Sequence, residues 1–114
     1  MRPETDDDAL LRDMLDAARE GAGYAAGMSA HAFAQDRKTQ RAIERCVEIV
    51  GEAARGVSKA FQTAHPEIPW RPIIAQRHIL AHEYGDVLPE RLYRVAMVHL
   101  PALATLLEPL VPPS

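Results

Sequence analysis

One arginine and two histidines crowd the segment Arg77-His78-Ile79-Leu80-Ala81-His82-Glu83-Tyr84. Helical spacing predicts a short helix from about Arg71 to Glu83, turning ~100° per residue, which sets Arg77, His78 and His82 within an arc of roughly 140°. Ile73, Ile79 and Leu80 lie toward the other side, available for packing. A cationic patch with two imidazoles on a packed helix suits phosphate chemistry. Cleavage of RNA by its own 2′-hydroxyl needs a base for that proton, an acid for the leaving 5′-oxygen and a cation for the charge on phosphorus. Histidine can serve as base or acid near neutral pH, and arginine gives bidentate stabilisation of phosphoryl oxygens. This route requires no metal, which fits the lack of an acidic cluster in the segment.

Two other readings compete. His78 and His82, four residues apart, can be metal ligands with Glu83 or Asp86 as a third. The zincin pattern fails, because Ile79 stands where that motif needs Glu. Alternatively, Arg77 and His82 only cap the last helical turn, where cations favour the negative end of the dipole, and Tyr84 packs in the loop. His31, His65 and His99 are isolated and read as structural. Cys46, with Ile43, Val47 and Val50 nearby, reads as a small buried hydrophobe rather than a nucleophile.

The elements that must position this segment all show the helical period, with no alternating strand and no hairpin signal. Thr5 and Asp8 form a capping pattern ahead of Leu10, Leu11, Met14, Leu15, Ala18 and Ala22, predicting a first helix from about residue 6 to the mid-20s. Gly21, Gly23 and Gly27 weaken its far end. Ser29 is expected to cap a single turn through Phe33, and Asp36 to cap a long helix. Ile43, Cys46, Val47, Val50, Ala53, Ala54, Val57 and Phe61 trace its apolar face. Its charges, Arg41 to Lys59, read as a solvated face. Gly51 and Gly56 point to close approach of another backbone.

Pro66 to Pro72 must be a connection, with Trp70 plugging one end of the core and Pro72 able to sit in a first helical turn. Gly85-Asp86 ends the third helix, and Pro89 opens a fourth that continues from Leu92 to Leu107. Pro101 inside that run predicts a kink, and Pro109, Pro112 and Pro113 predict an unstructured tail. Together these elements make an all-α bundle of four or five helices. One domain over residues 1–114 is expected, with short flexible ends at about 1–5 and 109–114.

Composition is that of an ordinary globular chain: 47% hydrophobic and 25% charged residues. The acidic N-terminus is unlike a signal peptide, and no stretch reaches a membrane span, so a cytoplasmic location is expected. One cysteine excludes an internal disulfide framework and a cysteine-based zinc site. Net charge is −3, so nucleic acid would have to be held by a local basic cluster, not by the general field.

Arg77-x4-His82-x-Tyr84 resembles the Arg-x4-His-x-Tyr motif of the HEPN superfamily, in particular its HepT-like branch. Phe33-x2-Asp36-x3-Gln40, Ile49-Val50-Gly51-Glu52-Ala53-Ala54 and Ile68-Pro69-Trp70 resemble that family's landmarks in the same order. The similarity covers about residues 9 to 108. The resemblance implies a HEPN-type helical bundle, a homodimer or higher oligomer, and a metal-independent endoribonuclease without cofactor. It further implies a type VII toxin acting on RNA, with tRNA among the candidate targets, and no membrane role. Carried over by position, Arg77 stabilises the scissile phosphate, His82 transfers protons, and His78 supports them where relatives commonly have Asn. Tyr84 matches the tyrosine that a cognate nucleotidyltransferase antitoxin modifies with adenylate. The alternative is a catalytically silent HEPN module serving protein interaction or nucleotide binding.

Overall fold

The computed structural model describes residues 4–75 and 88–113, all of whose regular elements are helical. Helix α1 (Glu4–Ala25) packs mainly on α3 (Arg37–Gly56) and then on α7 (Leu100–Leu107). The described helix already includes Glu4, so Thr5 lies within it and not at the cap. Gly27, at a φ of 80°, ends it, with Met28 N–H donating to Ala25 O at 3.0 Å. Leu11, Met14, Leu15 and Ala18 face the core from α1, and Ile43, Val47, Val50 and Ala54 face it from α3.

The seam is close because of Gly21. A Cβ there would lie 2.5 Å from Leu100 Cδ1 and 3.2 Å from Cys46 Cβ. At Gly56, one of the glycines expected to mark close packing, a Cβ would stand 3.1 Å from Leu10 Cδ1. The contact here is side chain on backbone.

Ser29 caps the short α2 (Ala30–Ala34), its Oγ accepting from Ala32 N–H at 3.0 Å. Asp36 caps α3, accepting from Thr39 N–H at 3.0 Å and from the Thr39 hydroxyl at 2.7 Å. The buried Gln40 amide donates to Phe33 O at 2.9 Å and Ala34 O at 3.3 Å, tying α2 onto α3.

The long helix expected through Phe61 is broken. Val57 is extended, and Ser58 caps a separate α4 (Lys59–Ala64). The Asp7 carboxylate accepts from Ser58 N–H at 2.9 Å and from its hydroxyl at 2.6 Å, and the Gln62 amide donates to Val57 O at 3.0 Å. Side chains thus satisfy the backbone groups freed by the break, so it costs little.

Helix α6 (Pro89–Arg94) has Pro89 in its first turn. A π-helical stretch, Val95–His99, joins it to α7, and Leu100 N–H reaches back to Val95 O. The irregularity expected at Pro101 therefore lies just upstream, widening the turn that precedes a ring unable to donate a hydrogen bond. The C-terminal prolines differ from the expected loose tail. A 3-10 turn (Glu108–Leu110) leads to the buried Val111; Arg19 pairs with Glu108 at 2.7 Å, and the Arg12 guanidinium donates to Pro112 O. Among the described residues no helix is long and apolar enough to cross a membrane.

Candidate functional site

Arg77, His78, His82 and Tyr84, together with Glu83 and Asp86, lie outside the described residues. The segments that lead into and out of them are described. On the entry side, His65 ends α4, and Ile68 N–H donates to His65 O at 3.2 Å to close a tight turn. Ile68 is buried, and the Trp70 indole donates to the same His65 carbonyl at 3.0 Å. Phe61 meets the Trp70 ring edge-on at 6.2 Å and lies 4.4 Å from the His65 ring. This knot of three rings starts α5, helical over 70–75, whose half-buried Ile73 and Ile74 rest on the core. Trp70 thus closes one end of the core, as its sequence context implied.

On the exit side, Leu88 is extended and its carbonyl accepts from Arg91 and Leu92 N–H at 3.0 and 3.1 Å. Leu92 is buried. The Tyr93 hydroxyl donates to Met28 O at 2.7 Å, and its ring lies 5.3 Å from Phe33. Both ends of the motif segment are therefore fastened to the same core, one through Ile68 and Trp70, the other through Leu92 and Tyr93.

Two depressions flank the entry side. A cleft of about 390 Å³ between α3, α5 and α7 is lined by apolar side chains such as Val47, Ile73 and Leu103, with His99 at its rim. The second, about 880 Å³, is a shallow trough along α4 and α5 that carries Lys59 and Arg71. No cluster of acids, histidines and cysteine suited to a metal ion occurs among the described residues.

Asp36, Glu67 and Cys46 are shifted for structural reasons. Hydrogen bonds from the Thr39 backbone and hydroxyl hold the Asp36 carboxyl below its usual range. The Glu67 carboxyl is lowered by its own backbone N–H and by the His65 ring, 3.1 Å away. Burial pushes the Cys46 thiol up, assisted by the Glu20 carboxylate. A thiol held protonated in the core is a poor nucleophile.

Lys59, Arg71 and the Asp7–Ser58 contact escape a reading by sequence motif. Ser58 followed by a short amphipathic turn is a local capping signal, but the uninterrupted step from Val57 to Phe61 conceals it.

The chain matches the family model described as "Ribonuclease HepT-like" over residues 14–110. A protein of Thermococcus cleftensis named "Probable ribonuclease HepT" is 39% identical over 71 residues, 62% of this chain and 64% of that one. The match thus spans just under two thirds of that relative's length. "Putative RNase TTE0752" of Caldanaerobacter subterraneus is 34% identical over 77 residues, 68% of this chain and 69% of the relative. "Putative RNase MJ0127" of Methanocaldococcus jannaschii is 28% identical over 99 residues, 87% and 82% of the two chains. No solved structure matches the chain.

Proposed function

The chain belongs to the HepT-like ribonuclease family, and on that premise we propose that it is a metal-independent endoribonuclease toxin working as a homodimer. The family match across residues 14–110, which encloses Arg77-x4-His82-x-Tyr84, carries this reading. The family landmarks support it, because each has a structural task in the described bundle. Asp36 caps α3, Gln40 ties α2 to α3, and Ile68 and Trp70 fasten the chain that leads into the motif segment.

In this mechanism the RNA 2′-hydroxyl attacks the adjacent phosphorus and the bond to the 5′-oxygen breaks, leaving a 2′,3′-cyclic phosphate and a 5′-hydroxyl. Arg77 stabilises the charge on the phosphoryl oxygens, and His82 handles the proton of the nucleophile or the leaving group. His78, next to Arg77 in sequence, serves in this reading as a further donor. Motifs of two subunits facing one another double the local positive charge, which a chain of net charge −3 needs to hold RNA.

Control follows from the same segment. A cognate nucleotidyltransferase antitoxin transfers adenylate from ATP to the Tyr84 hydroxyl with release of pyrophosphate, placing a bulky anion where RNA must bind.

The test is cleavage of total RNA in EDTA by wild type, Arg77→Ala and His82→Ala, with end-group analysis of the products. The expected result is cyclic-phosphate ends from wild type and loss of at least ~100-fold in rate in either variant. No cleavage by any of the three would instead support the catalytically silent module, and equal cleavage by all three refutes the roles given to Arg77 and His82. Intact mass after incubation with the transferase and ATP tests the second step; a Tyr84→Phe variant that still gains adenylate refutes Tyr84 as the acceptor.

A further inference from the structure

The trough along α4 and α5 carries positive charge without a carboxylate among its described lining residues, in a chain of net charge −3. Lys59 and Arg71 are its only charged side chains among the described lining residues, and both are exposed. Neither takes part in an ion pair or side-chain hydrogen bond among the described residues, whereas Arg19, Arg41 and Arg45 are each paired with a glutamate. Carboxylates in the adjoining segments are engaged elsewhere: Glu67 with His65, and Asp7 with Ser58. Pro66, Trp70 and Ile74 add an apolar floor to the same lining, and Thr63 an exposed hydroxyl. Free cations beside an apolar floor in an open trough suit a flexible polyanion that also carries flat apolar groups, which is the chemistry of a single nucleic-acid strand.

We infer that this trough is a track for single-stranded RNA, with backbone phosphates on Lys59 and Arg71. The inference rests on the ribonuclease reading for its substrate. Arg77 follows Arg71 by six residues in sequence; at ~3.6 Å per residue their Cα atoms are at most ~22 Å apart in any conformation.

The test is fluorescence anisotropy with a labelled RNA of about twelve nucleotides, measured over a salt series. His82→Ala serves as the background, so that the RNA stays intact. Adding Lys59→Ala and Arg71→Ala is expected to weaken binding roughly tenfold at low salt. Each phosphate contact on a single strand contributes ~0.7 to the slope of log affinity against log salt, so loss of two makes it shallower by ~1.4. Each single variant should show about half that change. Arg41→Ala with Arg45→Ala, which removes two paired cations from α3, should leave the slope unchanged.

An unchanged slope in the Lys59/Arg71 double variant overturns the track, as does an equal change in the Arg41/Arg45 control. Because the readout is binding, it separates from the cleavage test. If wild type cuts no RNA but the slope falls as stated, the track stands and the nuclease reading falls. If wild type cuts RNA and the slope is unchanged, the reverse holds.

Discussion

Replacing Gly21 with Ala probes the α1–α3–α7 seam directly, because two opposed effects meet there. Alanine in a helix interior is favoured over glycine by about 1 kcal/mol. Against this, the new Cβ would stand 2.5 Å from Leu100 Cδ1 and 3.2 Å from Cys46 Cβ, well inside the ~3.5–4.0 Å of favourable carbon contact. Leu100 is only 4% exposed, and its Cδ1 must leave its rotamer toward the α3–α5–α7 cleft to make way. Cys46 Cβ is carried by the α3 backbone, so relief on that side means moving α1 from α3. Overpacking of this kind costs about 1–3 kcal/mol. Gly21→Ala is therefore expected to destabilise by about 1 kcal/mol net, lowering the melting temperature by about 4 °C. In a Leu100→Ala background the main obstruction is gone, and the same substitution becomes neutral or stabilising. Urea unfolding followed by helical circular dichroism measures all four corners of the cycle, with an expected coupling of about 1–2 kcal/mol. A stabilised Gly21→Ala protein, or additivity within ~0.3 kcal/mol, refutes the steric account.

Ser58→Ala removes both the cap of α4 and the partner of Asp7, and should cost about 1–2 kcal/mol in urea unfolding, with Ser58→Gly milder; an Ala variant as stable as wild type would show that the break does not depend on this contact. Asp36 provides a pH prediction. Its carboxyl is held below the ordinary 3.8 in the folded chain, so the unfolded chain binds that proton more tightly. Its stabilisation is complete above about pH 5 and is lost as the pH falls through the lowered folded value. The stability gap between wild type and Asp36→Ala should therefore narrow between about pH 5 and pH 2, and a gap that stays constant over that range would show that the cap is not the source.

The sequence was most legible where structure is local. Ser29, Asp36 and Pro89 act within one helical turn of themselves, and each stands where its residue type implied. Asp7 with Ser58 and Arg19 with Glu108 join residues far apart in the chain, and no local pattern reports such contacts. The α3–α4 break was hidden because Val57 and Phe61 keep the four-residue step while the backbone between them turns. The final prolines misled for the opposite reason: poor helix formers still pack when Leu110 and Val111 have a core to meet. The motif was legible as a string of residue types, and the structure adds its fastenings. The free cations of the α4–α5 trough could be found only after folding showed which charges were already paired.

Those fastenings also separate two kinds of variant that crude activity assays confuse. Ile68, Trp70, Leu92 and Tyr93 belong to the core or are bound to it, so the flanks of the motif segment depend on the bundle being folded. A domain of this size commonly has at least ~5 kcal/mol of stability. Losing about 1–2 kcal/mol through Gly21→Ala or Ser58→Ala leaves ~3 kcal/mol, and ~99% of molecules still folded. Such variants should retain nearly full RNA cleavage at 25 °C and lose it only near their lowered melting temperatures. Arg77→Ala and His82→Ala should do the reverse, leaving unfolding curves intact while cleavage collapses at every temperature. A scaffold variant that stays folded but cleaves RNA ten times more slowly would mean that the bundle holds the motif in a geometry finer than folding alone secures.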